Sequence, residues 1–211
     1  MGTLSLLALQ SWDPATLNAA GDQVAATSAT LDEGLCTVST AVSTVQDSWS
    51  GQGADAAVAQ AGRISTAGNR ASTALETLAD VLSSASADLA SLRSYALDVV
   101  GSARSDGFLV FDDGRVQAPT APAGASEQAV AQHQGELDAA ARAYAEDIDR
   151  AIAAVARADS DWASKITAAM AELSDIAASP VTGAATLSAA VQAILAGRAV
   201  LPSDPKDLHT L

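Results

Sequence analysis

The sequence predicts an all-α fold: an elongated antiparallel helical hairpin or bundle with a small β-hairpin insertion. Three observations carry this. The chain is 49% hydrophobic but only 3% aromatic, so its apolar content is mostly alanine, which buries little area but has the highest helix propensity. Apolar residues recur in steps of three and four over long stretches, the spacing of one helix face. Glycine and proline gather in a few places, leaving the stretches between them free to run as long helices. A length of 211 residues suits one domain or two small ones.

The first helix starts at Trp12-Asp13-Pro14-Ala15. Asp13 is a good N-cap, and Pro14 suits a first helical position, where no amide donor is needed. Leu17, Val24, Leu31, Val38 and Val45 then recur every seven residues, and Gly21, Ser28, Leu35, Val42 and Trp49 fall four residues after each. Together they form a continuous seam, small near its start and larger toward its end. The small residues permit close approach of a neighbouring backbone. Gly51 is able to end the helix with a positive φ, and Gly53 is expected to loosen the chain further. A second seam follows through Ala61, Ile64, Gly68, Ala71, Leu75, Leu78, Leu82, Ala85, Leu89, Leu92, Ala96 and Val99. Two seams joined by a tight turn make an antiparallel hairpin. The second helix spans about 70 Å at 1.5 Å per residue.

Phe108-Leu109-Val110-Phe111 followed by Asp113-Gly114 and Arg115-Val116 reads as a β-hairpin. Strands this short are marginal alone and must lie on the helices. A Pro/Ala/Gly linker runs from Pro119 to Gly124. A third seam passes through Val130, Leu137, Ala141, Tyr144, Ile148, Ala151, Val155, Trp162, Ile166, Ala169, Leu173 and Ile176, with a slip near Asp159-Ser160-Asp161 that marks a kink or a break. Ser179-Pro180 stops it, Leu187 to Ala196 suits one short helix, and Leu201 to Leu211 reads as a linker. The expected organisation is therefore a helical hairpin over 1–104, a β-hairpin and linker over 105–123, a third helix over 124–178 packed on the hairpin, and a short helix with linker over 179–211.

A net charge of −14 opposes nucleic-acid binding driven by counterion release, and disfavours adsorption to anionic lipid. No charge-free apolar stretch reaches the length of a membrane-spanning helix. Residues 1–9 are briefly apolar but lack the basic start and cleavage site of a secretory leader. Cys36 is the only cysteine, so no intrachain disulfide forms, in keeping with folding in a reducing compartment. With no His or Lys close in sequence to activate it, Cys36 is expected to be inert. His133 and His209 are the only histidines and fall in different segments, which does not suit a metal site. Glu146, Asp147 and Asp149 beside Arg142 and Arg150 read as a helix surface with i,i+4 pairs. Gly51-Gln52-Gly53 lacks the third glycine and preceding strand of a phosphate loop. No catalytic residue, cofactor or metal is expected.

Trp49-Ser50-Gly51 lies in the turn between two long seams, ahead of an alanine-rich acidic helix. In that setting the chain resembles the Trp-X-Gly (WXG100-like) family of type VII secretion substrates of actinobacteria and related bacteria. Ser11-Trp12-Asp13-Pro14, Trp49-Ser50-Gly51, and Asp106-Gly107-Phe108 through Asp112-Asp113-Gly114 also recur in that order in longer actinobacterial proteins. There, such a region precedes a toxin or α/β-hydrolase-type domain, and Asp204 to His209 looks like the join. The resemblance implies a targeting and interaction region, folded in the cytoplasm and then secreted or displayed at the cell surface. It implies a small Trp-X-Gly partner and contact with the type VII machinery. The docking seam would be Leu31, Leu35, Val38, Val42 and Val45 with Leu75, Leu78, Leu82, Leu89 and Leu92. The family's export signal is Tyr-x-x-x-Asp/Glu after a helical hairpin. Here Tyr95 and Tyr144 have Asp98 and Asp147 at the third position, not the fourth, which points either to a signal carried by the partner or to a chain that is not exported.

Two other readings use the same features. Small-residue seams suit a membrane-active or pore-forming helical protein, against which stand the acidic balance and the missing aromatic belt. A structural coiled-coil spacer would self-associate without export.

Overall fold

The structure is a computed structural model that describes residues 5–48, 50–122 and 126–178. Six elements follow in order: α1 (Leu6–Ser11), α2 (Ala15–Ser48), α3 (Gln52–Ser105), β1 (Leu109–Val110), β2 (Val116–Gln117) and α4 (Glu127–Ala178). The all-α class with a two-stranded insertion is what the heptads and the Asp-Gly turn predict. Trp49, Gly124, the stop at Ser179-Pro180, the helix over Leu187 to Ala196, the linker over Leu201 to Leu211, and Asp204 to His209 lie outside the described residues. The Val45 side chain does too.

Two compact units divide the described residues, and α3 and α4 contribute to both. One unit holds residues 15–86 and 162–178. Its helix pair is antiparallel: Ser83 Oγ donates to Asn18 Oδ1 (3.2 Å), while further along, Ser28 Oγ lies 2.8 Å from Ser72 Oγ. The Ser28 hydroxyl also reaches the Ser72 carbonyl at 3.2 Å. Both serines are buried, and a buried hydroxyl needs such a partner. Gly21 marks the close approach the small seam residues permit. A Cβ there would stand 3.2 Å from the Ala79 carbonyl oxygen. Around these contacts Leu17, Ala20 and Val24 of α2 are buried, as are Ala71, Leu75, Leu78 and Leu82 of α3. Each buried leucine contributes roughly 1.5–3 kcal/mol. The last part of α4 adds buried Ala163, Ala169, Leu173 and Ile176.

The other unit holds residues 5–14 and 87–161. Its core joins Leu6 and Leu9 of α1, Ala96, Val100 and Ala103 of α3, Phe108 and Val110 of the insertion, and Ala141, Ile148, Ala151 and Val155 of α4. The β-hairpin pairs Leu109 with Gln117 and Val110 with Val116. Phe111 N–H donates to the Arg115 carbonyl (2.9 Å) and Gly114 N–H to the Phe111 carbonyl (3.1 Å). Gly114 has φ +85°. The result is a three-residue loop with glycine in the left-handed position. That loop rests on α4: a Cβ on Gly114 would meet Asp149 Oδ1 at 3.3 Å and Ile148 Cγ2 at 3.6 Å. Gln134 ties the linker to α4, accepting from Ala121 N–H (2.9 Å) and donating to the Pro119 carbonyl (3.3 Å).

Three sequence expectations change. Gly53 does not loosen the chain; it is helical within the first turn of α3, because Gly51 alone, at φ +106°, ends the turn. No break occurs near Asp159-Ser160-Asp161, where α4 is continuous. The apparent slip is one polar residue: Asp159 stands four after Val155 and three before Trp162, in seam register, and is buried. No Gly or Pro falls between residues 136 and 178 to interrupt the helix. Residues 6–11, expected only as an apolar start, form α1. Ser5 Oγ accepts from Ala8 N–H (3.1 Å) as its N-cap. Leu6 N–H donates to the Asp112 carbonyl and Leu7 N–H to the Asp112 carboxylate. At the other end Arg93 donates to the Leu9 (2.9 Å) and Gln10 (2.7 Å) carbonyls. Tertiary bonds thus supply at both ends what six residues lack in cooperativity.

Two glycines of α2 separate these effects. Gly21→Val is expected to destabilise by about 1–3 kcal/mol, since a side chain must displace the α3 backbone. Gly34→Ala, with nothing within 4 Å of the new methyl, is expected to stabilise by about 0.5–1 kcal/mol through helix propensity. Urea unfolding of the two variants checks both signs.

Candidate functional site: an interaction seam

The residues the sequence singles out as a docking seam fall into two groups. Leu75, Leu78, Leu82 and Leu89 are 0–1% exposed, buried within this chain. Leu92 is partly buried against the core of residues 5–14 and 87–161. In contrast, Leu31, Leu35, Val38 and Val42 of α2 are only half-buried, as are Val58, Ala61 and Ile64 across from them on α3. The heptad is continuous, so the change reflects what covers the seam and not the side chains themselves. Two helices in contact leave the flanks of their shared seam in water; a third is needed to close it.

Ile176 lines a groove of about 510 Å³ with Ala59, Gly62, Arg63, Thr66, Ala67 and Arg70 of α3. These α3 positions repeat at three and four, so they share one helix face. Ala178, two residues later, is the last described residue of α4. The α3 residues before the groove, and the α2 residues opposite them, carry the half-buried seam. Sequence reasoning missed this groove because its α3 face is small or charged and reads as solvated surface. Arg63 holds its guanidinium toward Gln60 Oε1 (Nε 3.0 Å). Ser50 and Gly51 are exposed beyond the end of α2, and Asp55 N–H donates to the Gly51 carbonyl (3.1 Å) to begin α3.

The two tyrosines considered for an export signal differ. Tyr95 is 58% exposed on α3. Tyr144 donates its hydroxyl to Asp106 Oδ2 and packs its ring on Phe108 (centroids 5.3 Å apart). The hydrogen bond to Asp106, then burial, then the charges of Asp106 and Asp147 push the Tyr144 hydroxyl above the usual tyrosine range. At the β-hairpin the Arg115 backbone N–H holds the Asp113 carboxyl below the usual range, against an opposing effect of burial and with help from the Arg115 guanidinium. Cys36 is exposed on α2. His133 Nδ1 lies 3.7 Å from Glu136 on an exposed helix face, and Arg150 pairs with Asp147 at i,i+3 in place of the expected i,i+4. Among the described residues no group of three or more His, Cys, Asp or Glu is gathered to hold a metal. No described helix is long and apolar enough to cross a membrane.

Residues 11–92 match the family model WXG100, described as proteins of 100 residues with WXG. The matched stretch takes in all of α2, the turn and α3 as far as Leu92; the β-hairpin and α4 fall outside it. No curated protein and no solved structure matches the chain.

Tyr144 gives a titration with a definite sign. A hydroxyl whose folded pKa is raised contributes stability below the ordinary tyrosine pKa and loses it as pH climbs through the raised value. In a Tyr95→Phe chain, which leaves Tyr144 as the only tyrosine, the ultraviolet titration midpoint is expected above that of free tyrosine. Adding Asp106→Asn is expected to bring it down. An unshifted midpoint would mean that the Asp106 bond is not made.

Proposed function

We propose that this chain is a type VII secretion-associated targeting and interaction module, the leading part of a larger exported effector. It folds in the cytoplasm, packs helix-on-helix with a small Trp-X-Gly partner, and leaves the cell, or reaches its surface, through the type VII machinery. The observation that carries this is that the WXG100 match over residues 11–92 takes in a helical hairpin whose apolar seam is incompletely buried at its turn end.

The partner's place is narrower than the whole hairpin. The inner leucines are enclosed within this chain, so docking uses Leu31, Leu35, Val38, Val42 and Val45 of α2, with Val58, Ala61 and Ile64 of α3. Completing the burial of each half-exposed aliphatic side chain contributes on the order of 1 kcal/mol. A partner hairpin laid there would extend the bundle toward Trp49-Ser50-Gly51. Its helices need no base-specific or catalytic chemistry, only apolar ridges that fit a groove between two helices. Of the two tyrosines, exposed Tyr95 is the one free of the Asp106 bond and open to a recognition surface, while the partner supplies the acid-at-fourth signal that this chain lacks. No enzymatic role belongs to these residues.

Copurification with a small Trp-X-Gly protein encoded beside this chain is the test, with affinity measured on defined variants. Leu35→Asp with Val38→Asp is expected to weaken binding by about tenfold or more while helix content stays unchanged. A chain that binds no such protein, or binds it equally well with both aspartates present, would refute the docking reading.

A further inference from the structure

We propose that the α3 groove beside Ile176 is a docking site for an acidic helix of another protein, one that presents two carboxylates seven residues apart. The seam proposed above for the small Trp-X-Gly partner lies on another face of α3, so the two sites stand or fall separately.

Charge selects the occupant. Residues 1–92 contain two basic side chains, Arg63 and Arg70, among nine carboxylates and no histidine. Both arginines line the same groove, and both are exposed. Seven residues make two helical turns, so the two side chains leave one face of α3 about 10 Å apart. Among the described residues neither forms an ion pair, and Arg63 holds the neutral Gln60 side chain. A guanidinium takes a carboxylate through paired N–H donors. A second helix laid along α3 meets both arginines when its own carboxylates repeat at the same interval.

An exposed pair of opposite charges contributes little in water, so close contact has to supply the rest, and the groove allows it. Gly62, Thr66 and Ala67 share the face with the arginines, and a Cβ on Gly62 would have nothing within 4 Å. Small side chains there let a second helix axis come near. This is not the face turned to α2. A Cβ on Gly68 would strike the Leu35 side chain of α2, and at about 100° per residue Ala59, Thr66 and Arg70 come round to the opposite side of α3. A second copy of this chain does not supply the occupant, because none of α1 to α4 carries two carboxylates seven residues apart.

The arginine side-chain resonances read the site directly. An alanine-based helical peptide with two glutamates seven residues apart is expected to shift the Arg63 and Arg70 Nε–H signals, together with the amides of Gly62, Thr66 and Ala67. Added salt should weaken it. A peptide with glutamine at both places is expected to bind about tenfold more weakly, the worth of two exposed pairs. Arg63→Gln with Arg70→Gln should lose a similar factor. Gly62→Leu keeps both charges and should also lose affinity, by holding the helix away, while helix content is kept in both variants. Equal binding of the two peptides would overturn the proposal, as would no shift at millimolar peptide. Full binding by Gly62→Leu would reduce the site to charge attraction, and equal shifts with inorganic phosphate would make it a simple anion site; either result overturns docking of a helix. Shifts that follow chain concentration without peptide would make the occupant a second copy. Shifts on Asp204→Asn with Asp207→Asn, again without peptide, would mean that this chain's own carboxylates hold the arginines, and would overturn it too.

Discussion

Close approach of the α2 and α3 backbones is the contact on which the hairpin depends. It occurs where Gly21 leaves no room for a side chain beside the Ala79 carbonyl, and where the buried hydroxyls of Ser28 and Ser72 hydrogen-bond to one another. An alanine-rich helix has little apolar area per residue to offer, so it gains by packing at short range and making many small contacts. The small residues set the approach distance, and the leucines of α3 fill what is left.

From that contact follows the difference between the two ends of the hairpin. In its inner part Leu75, Leu78 and Leu82 of α3 are buried, and so are Leu173 and Ile176 of α4. Toward the turn, Leu31, Leu35, Val38 and Val42 of the same heptad are only partly buried. In the proposed docking reading, stability comes from the closed part and binding energy is held in the partly buried one.

The residue pattern made most of this legible. The two seams of the hairpin, the turn at Gly51, the β-hairpin at Asp113-Gly114 and the third helix are all readable as heptads or turn signals, because each rests on local spacing. What escaped the sequence was set by distant partners. α1 has only six residues and stands on bonds to Asp112 and Arg93, some 80 to 100 positions away. The seam at Asp159 looked broken because a polar residue occupies an apolar register position. A heptad is written the same way whether or not a third helix lies on it, so the partial burial from Leu31 to Val42 was not readable. The groove beside Ile176 has no apolar signature of its own on α3.

Amide hydrogen exchange of the full-length chain across a wide dilution series tests the central claim most directly. Closure of the inner seam by this chain's own α4 predicts that amides of residues 17–28 and 71–85 exchange slowly, through global unfolding, at rates independent of protein concentration. Protection that vanishes on dilution would show that a second chain, not α4, completes the seam.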